Sequence, residues 1–227
     1  MRRPLKVDSF RKLRALGVPI ESVVDVGILT GTGELMTVFK DKKQYLIEPI
    51  VEFNETIRTN YDKGGVTYEL INVAVSDADG TMNMETSTVI PGRPISHARL
   101  TDKTSGATIR KVPVRRLDTL LPEHAVPRPF LLKIDVDGAE LQILEGARGI
   151  LADANVVVIE ANIRNFIERA TALKALGFEL FDIVDPCYYD DRLRQFDLVF
   201  LNSAMVAARG LDMYKQPFDA SKWVSYR

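Results

Sequence analysis

Short apolar runs and amphipathic segments follow one another along the 227-residue chain. Five runs rich in Val, Ile, Leu and Tyr are predicted to form buried strands: residues 22–27, 44–49, 66–77, 130–136 and 155–161. Other segments carry apolar residues at helical spacing, which predicts helices over residues 8–17, 33–40, 50–61, 115–122, 139–151 and 165–177. Two further predicted strands, residues 178–185 and 196–202, close the chain.

This alternation of strand and helix predicts a parallel, doubly wound sheet. The last two strands are joined only by residues 186–195, which are predicted to form a loop. A parallel connection needs a crossover of a dozen or more residues, so the final strand is expected to run antiparallel to its neighbours. The predicted fold class is therefore α/β. It is a Rossmann-like, seven-stranded, mostly parallel sheet with a closing antiparallel strand and helices on both faces, the architecture of class I methyltransferases.

The length of the chain predicts one domain over residues 1–227. An N-terminal helix is expected within residues 1–20, and residues 203–227 are expected to be a C-terminal extension. Residues 88–112 contain two prolines and two glycines and are predicted to be irregular. Long irregular loops in compact domains are usually functional or disordered, so the stretch 86–112 is predicted to be a substrate loop.

The net charge of −1 gives no reason to expect nucleic acid or an anionic membrane as the main partner. Basic residues near the start are predicted to lie on a solvated helix face: Arg2, Arg3, Lys6, Arg11, Lys12 and Arg14. The single cysteine, Cys187, excludes a disulfide framework and a cysteine zinc site within one chain. Neither a signal peptide nor a membrane span is predicted, so we expect a cytoplasmic protein. Its oligomeric state, including a homo-oligomer, stays open.

Three glycines follow the first predicted strand in the segment VVDVGILTGTGEL, residues 23–35. Open α/β sheets bind ligands at the carboxyl ends of their strands, and glycine lets a ligand approach the bare backbone. Asp25, Gly27 and Gly31 have the acid and glycine spacing of a methyl-donor loop. The helix expected near Gly33 would offer free N–H groups to a carboxylate or phosphate.

A dinucleotide-binding loop is the alternative, and it requires G-x-G-x-x-G directly after the strand. The chain has G-x-x-x-G-x-G, and Met36 stands where the third glycine would be. Glu48 ends the second strand about 20 residues after the first glycine, where a carboxylate can accept both ribose hydroxyls. The loop and Glu48 together favour a nucleoside cofactor that donates a methyl group.

A second candidate segment, residues 131–147, contains several acidic residues and two glycines. It begins in the fourth predicted strand and continues over the same end of the sheet as the glycine loop. Asp135 is expected to face the methyl donor and the acceptor. Asp137 and Glu140 could both be charges that favour the start of a helix, and for Asp137 this is the better explanation.

The sequence KIDVDGAELQILEGA, residues 133–147, resembles the K-I-D-V-E-G-x-E-x-x-x-L-x-G-A signature of FkbM-type methyltransferases. The glycine loop stands where that family has V-x-D-V-G-A-N-x-G, and the resemblance extends over about residues 22–202. It implies S-adenosyl-L-methionine as donor, with S-adenosyl-L-homocysteine as product. It also implies methyl transfer to a hydroxyl of a small molecule, a sugar, a glycan or a secondary metabolite.

One departure from the family pattern lies in the glycine loop, where Ile28 and Leu29 replace Ala-Asn. An asparagine there is suited to contact the methionine end of the cofactor, and this chain lacks it. Thr30 or Thr32 could replace it.

Methyl transfer to an alcohol needs a base that removes the hydroxyl proton. The candidates are Asp135, Glu160 at the end of the fifth strand, and His97 in the long loop. Asp135 and Glu160 could instead hold magnesium, although their spacing does not favour a metal site. The candidates for cofactor binding are Asp25, Gly27, Thr30, Gly31, Gly33, Glu48 and Asp135.

Two other classes of protein remain as alternatives. A non-catalytic or differently specific Rossmann-like binding protein is favoured only by Ile28 and Leu29. A nicotinamide-dependent oxidoreductase is disfavoured by the missing G-x-G-x-x-G and by the closing pair of strands.

Overall fold

The computed structural model describes residues 3–88, 95–212, 215 and 217–223. Within these ranges the strands are β1 Ser22–Val26, β2 Lys43–Ile47, β3 Tyr68–Ile71, β4 Ala74–Val75, β5 Gly80–Ser87, β6 His97–Thr101, β7 Ile109–Arg115, β8 Phe130–Ile134, β9 Ala154–Asn162, β10 Phe178–Tyr189 and β11 Arg192–Asn202. The helices are α1 Lys6–Ala15, α2 Gly33–Val38, α3 Asn54–Gly64, α4 Leu117–Glu123, α5 Glu140–Glu145, α6 Phe166–Ala175 and α7 Ser203–Arg209, with 3-10 turns at Val51–Phe53, Leu151–Asp153 and Ala220–Lys222.

The main sheet has seven strands in the order β10-β11-β9-β8-β1-β2-β3. Strands β3, β2, β1, β8 and β9 are parallel to their neighbours in this series. Strand β11 is antiparallel to both β9 and β10. The predicted fold class, including the antiparallel closing strand, is confirmed.

Helices cover both faces of this sheet. Successive side chains of a strand point to opposite faces, and β1 and β8 place buried apolar side chains on both. Val24 and Leu132 face a core shared with α4, α5 and α6. Val23 and Leu131 face the opposite core, which is shared with α1 and α2. Burial on both sides explains why the sequences of β1 and β8 are mostly apolar, apart from Ser22, Asp25 and Lys133.

A second sheet, in the order β4-β7-β5-β6, corrects two predictions. The strand predicted over residues 66–77 is two strands, because β3 ends at Ile71 and β4 pairs with β7 instead. The stretch 88–112 is not irregular throughout, since β6 and the start of β7 lie in it. The buried Val112 and Val114 alternate with exposed neighbours, a strand signal that the surrounding prolines and glycines obscured. Residues 89–94 of this stretch lie outside the described residues.

The last two strands form a tight hairpin, so the loop predicted over residues 186–195 is wrong. Strand β10 extends to Tyr189 and β11 begins at Arg192. Asp190 and Asp191 both adopt positive φ, 51° and 55°, as the two central residues of a type I′ turn do. The prediction failed because an Asp-Asp pair is a weaker signal for this turn than Asn-Gly.

Helices α2, α5 and α6 are shorter than the periodicity predicted, whereas α1 has the predicted length but begins two residues earlier. The helix expected over residues 139–151 ends at Glu145, and a Cβ at Gly146 would lie 2.1 Å from the backbone oxygen of Ser76. The chain therefore turns where it meets the second sheet. Across the part of the chain that the structure describes, no helix is both long enough and apolar enough to cross a membrane.

Candidate cofactor and acceptor site

A cavity of about 510 Å³ opens over the carboxyl ends of β1, β2, β8 and β9. This volume lies in the usual range of small-molecule and cofactor sites. Residues 26–32, 47–50 and 135–137 line the cavity, and so do residues 95–100, which include most of β6 in the second sheet. Strand β1 lies between β2 and β8 in the sheet. The chain adds strands on one side of β1 first and on the other side later, and open α/β sheets bind ligands at this switch point in the strand order.

Two of the three predicted glycines are required by the backbone of the loop after β1. Gly27 has a φ of 79°, and a Cβ there would lie 2.0 Å from the carbonyl oxygen of Asp135. Gly31 has a φ of 141° and lies against the ring of Tyr61. Gly33 differs, because it has open space around it, begins the six-residue helix α2 and does not itself line the cavity, although its neighbours Thr32 and Glu34 do.

Leu29, one of the two departures from the family pattern, has a left-handed φ of 53°. Asparagine adopts this conformation far more readily than leucine. The backbone N–H of Leu29 donates to Oε2 of Glu48 over 3.0 Å. The side-chain amide of Asn60 donates to the carbonyl oxygen of Thr30 over 2.8 Å. The loop thus keeps its shape through backbone contacts although the asparagine is missing.

Glu48 is buried in the cavity wall with both carboxylate oxygens engaged. Oε1 accepts the N–H of Ile50 at 3.0 Å and Oε2 accepts that of Leu29. Burial raises the pKa of Glu48, these two hydrogen bonds lower it, and the result is a pKa of about 7. The apolar side chains of Ile50, Phe53 and Val75 line the cavity beside it. A carboxylate next to an apolar pocket fits a ribose and its adenine base.

Strand register brings ionisable side chains together at the other end of the cavity. Asp25 of β1 is paired in register with Lys133 of β8, and Asp197 of β11 is paired with Glu160 of β9. The Nζ of Lys133 lies 3.3 Å from Oδ1 of Asp25 and 3.0 Å from Oδ2 of Asp135. Four neighbouring strands, β11, β9, β8 and β1, therefore contribute to one largely buried cluster of charges. We call it the acidic cluster: Asp25, Lys133, Asp135, Glu160 and Asp197.

Asp135 and Glu160 share a hydrogen bond, and their surroundings shift the pKa values of the two carboxyls in opposite directions. Burial raises the pKa of Glu160, and the hydrogen bond and negative charge of Asp135 raise it further. Burial also acts to raise the pKa of Asp135, but the Lys133 ammonium and the hydrogen bond from Glu160 outweigh it and lower that pKa. The proton therefore resides on Glu160, and Asp135 is ionised.

Most of the predicted site residues meet in this one cavity. Those in its wall are Gly27, Thr30, Gly31, Glu48, His97, Asp135 and Glu160. His97 begins β6, is exposed, and its Nδ1 lies 3.0 Å from Oγ of Ser96. Asp25 is fully buried behind the wall, where it contacts Lys133 rather than the cavity.

Three charged residues at this end of the cavity were not predicted from the sequence as site residues: Lys6, Lys133 and Asp197. Lys6 was expected on a solvated helix face, and this prediction is wrong, because Lys6 is 8% exposed and its Nζ lies 2.6 Å from Oδ2 of Asp197. The signal for Lys133 was present, since a lysine inside an apolar strand needs a buried anionic partner. Lys6 offered no comparable signal, because its partner is almost 200 residues away in the chain.

The described ranges contain no group of three or more His, Cys, Asp or Glu side chains arranged to hold a metal ion. Within the acidic cluster the Lys133 ammonium contacts both Asp25 and Asp135. It supplies positive charge between these two carboxylates.

A glycine loop, a buried acid after the second strand and a cavity at the switch point, together with the strand order, define a Rossmann-like fold of the class I methyltransferase type. The chain belongs to the methyltransferase FkbM domain family, whose model matches residues 26–187. This match confirms the resemblance noted in the sequence. The family implies S-adenosylmethionine as the methyl donor.

Two known proteins illustrate the relationship. The hexuronic acid methyltransferase AglP of Haloferax volcanii is 28% identical over 136 residues, which are 60% of this chain and 54% of AglP. The match thus spans about half the length of that relative. The crystal structure of an rRNA methylase from Streptococcus thermophilus is similar with a TM-score of 0.50 and 13% identity, over 89% of this chain and 98% of that chain. At that identity the likeness is one of fold alone.

Proposed function

We propose that this protein is an S-adenosylmethionine-dependent O-methyltransferase that acts on a hydroxyl group of a sugar or glycan. The observation that carries the proposal is the pair of Asp135 and Glu160 in the wall of the same cavity as Glu48. Membership of the FkbM family supports methyl transfer. The relative named for hexuronic acid supports a sugar acceptor.

The cofactor site is proposed to extend along the sheet from β3 and β2 towards β8. Glu48 would accept the ribose hydroxyls, and Ile50, Phe53 and Val75 would enclose the adenine. The backbone around Gly27 and Gly31 would hold the methionine end. Bound S-adenosylmethionine supplies an electrophilic methyl group on its sulfonium.

Asp135 is proposed to accept the hydrogen bond of the acceptor hydroxyl and to take its proton as the oxygen is methylated. It is ionised and lies on the wall, whereas Glu160 already carries a proton. Lys133 and Glu160 would position Asp135 by binding its carboxylate from behind. His97 is a second candidate base, because it lines the same cavity and is accessible to solvent.

The charge of the site favours a neutral hydroxyl as the reacting group. With Glu160 protonated, Asp25, Asp135 and Asp197 outnumber Lys6 and Lys133 around this end of the cavity. An anionic reacting group would be repelled there. The same negative charge disfavours the phosphates of RNA.

The test is a methylation assay with isotopically labelled S-adenosylmethionine and a panel of neutral hexosides, hexuronosides and RNA. We expect an alkali-stable methyl ether on a sugar, undiminished by EDTA, since Lys133 supplies positive charge at the carboxylates. Asp135→Asn should lower kcat by about 100-fold or more, and His97→Gln should have a smaller effect. Labelled RNA alone, an alkali-labile methyl ester, or turnover of no acceptor with cofactor bound would overturn the proposal.

A further inference from the structure

Lys6 presents a buried ammonium group at the wall of the cavity, on the side of Glu160 and Asp135. It is the first residue of α1 and lies outside the residues 26–187 that match the family model. Its Nζ contacts Oδ2 of Asp197 at 2.6 Å and Oδ2 of Asp185 at 3.5 Å. Burial acts to lower the pKa of Lys6, but the charge of Asp197 outweighs it, so the ammonium stays charged.

The start of α1 is held in place by contacts that do not involve this ammonium. The backbone N–H of Lys6 donates to Oδ1 of Asp185 at 2.9 Å. The backbone N–H of Asp185 in turn donates to the carbonyl oxygen of Pro4 at 2.8 Å. Phe10 and Leu13 of α1 are fully buried in the core. These contacts hold the start of α1 in place, so the position of the helix does not require the ammonium group of Lys6 at the cavity wall.

A buried ion pair is a poor stabiliser, because desolvation offsets most of the attraction between its charges. An apolar pair at Lys6 and Asp197 would hold the helix as well. An ammonium has three N–H donors, and among the described residues Asp197 and Asp185 are the carboxylates within 4.0 Å of it. With two carboxylate partners for three donors, one N–H can still bind a ligand, and Lys6 lines the cavity where a ligand would lie.

We infer that Lys6 donates a hydrogen bond to a second oxygen of the acceptor and so selects polyhydroxylated acceptors over simple alcohols. The inference rests on the proposed function and names a contact of the same site. Asp135 would hold the reacting hydroxyl, and Lys6 would fix the orientation of the rest of the acceptor. Asp197 would keep the ammonium in position from behind.

The test measures kcat and KM of wild type, Lys6→Met and Lys12→Met for the sugar that wild type methylates best, and for its monodeoxy analogues. Lys12 lies on the exposed side of α1 and provides the matched control. Loss of a hydrogen bond to a charged donor should raise the acceptor KM by about tenfold or more in Lys6→Met. The Kd of S-adenosylhomocysteine should not change, and Lys12→Met should match wild type.

One deoxy analogue should show a similar rise in KM with wild type, and no further rise with Lys6→Met. If wild type methylates a sugar and Lys6→Met is folded with an unchanged KM, the inference is wrong while the proposed function stands. If wild type binds S-adenosylhomocysteine but methylates no sugar, the proposed function fails and this inference fails with it. If Lys6→Met does not fold, Lys6→Arg is the variant to test, because it keeps the ion pair with Asp197. Lys6→Arg should change the order of the KM values of the deoxy analogues. An unchanged order would overturn the inference.

Discussion

The backbone N–H of Leu29 donates to Oε2 of Glu48 from a left-handed φ of 53°. This contact joins the loop after β1 to the end of β2, so the glycine loop and the acid expected at the ribose form one unit. Left-handed leucine is strained by about 1–3 kcal/mol. The loop keeps this conformation although the residue that suits it, asparagine, is absent.

Leu29→Asn should tighten the binding of S-adenosylmethionine by roughly fivefold, the value of one added hydrogen bond. The contact with Glu48 uses the backbone and would remain. Isothermal titration calorimetry of Leu29→Asn against Leu29→Ala separates the new amide from the loss of the leucine side chain. Equal affinities of the two variants would mean that position 29 does not contact the cofactor.

Gly27 and Gly33 should respond in opposite ways to alanine. Gly27→Ala would bring a Cβ to 2.0 Å from the carbonyl oxygen of Asp135 at a φ of 79°, so β1 and β8 would have to separate. We expect a loss of stability of about 3 kcal/mol or more, in the range of severe backbone and packing defects. Gly33→Ala has open space and a helical position, and should gain about 0.5–1 kcal/mol.

Chemical denaturation of both alanine variants measures the difference. A Gly33→Ala variant that is stable but binds the cofactor poorly would show that Gly33 belongs to the cofactor site. A Gly27→Ala variant as stable as wild type would contradict the close approach of the two strands.

The pKa of Glu48, about 7, predicts a pH-dependent affinity for the cofactor. An ionised carboxylate is the stronger acceptor for ribose hydroxyls, so binding should displace the proton from Glu48. Affinity should fall by up to about tenfold per pH unit below pH 7 and level off above it. Adenosine is the suitable probe, because it carries the ribose but no group that titrates near neutrality.

Glu48→Gln should bind adenosine more weakly at pH 8 and with little dependence on pH. A wild-type affinity that is constant from pH 5.5 to pH 8.5 would show that Glu48 does not meet the ribose in its ionised form.

Glu160→Gln should become more stabilising as the pH rises. The folded protein holds the proton of Glu160 more tightly than the unfolded chain, because burial and Asp135 raise its pKa above 4.5. The wild type therefore loses stability above pH 4.5, by up to about 1.4 kcal/mol per pH unit, until Glu160 ionises in the folded state as well. The glutamine cannot ionise and avoids this loss.

Urea denaturation at pH 5, 7 and 8.5 measures the difference between Glu160→Gln and wild type, and Glu145→Gln on the exposed side of α5 is the control. A difference in unfolding free energy that stays constant with pH would contradict a protonated Glu160.

The sequence was sufficient for the main sheet because its information is local and periodic. Apolar runs with β-branched residues marked the parallel strands, and the short link after β10 implied the antiparallel partner. The second sheet was not predictable in the same way, since β4 has only two residues and none of the five residues of β6 is fully buried. Its strands form through pairing with distant segments rather than through their own pattern.

The residues of the candidate site likewise fall into those that the local sequence predicts and those that only the folded structure brings together. Glu48, Asp135 and Glu160 could be found because each ends a parallel strand, and all such ends meet at one edge. Lys6 could not be found, because only the packing of α1 against β10 brings it to the cavity. Asp25 belongs to the expected motif, but its side chain points to Lys133, a pairing that depends on strand register.

Calorimetric titration of the wild-type protein with S-adenosylmethionine and, separately, with NAD tests the central claim most directly. The account predicts micromolar binding of S-adenosylmethionine, marked weakening by Glu48→Gln, and no binding of NAD. Binding of NAD, or no binding of S-adenosylmethionine by folded wild-type protein, would contradict it.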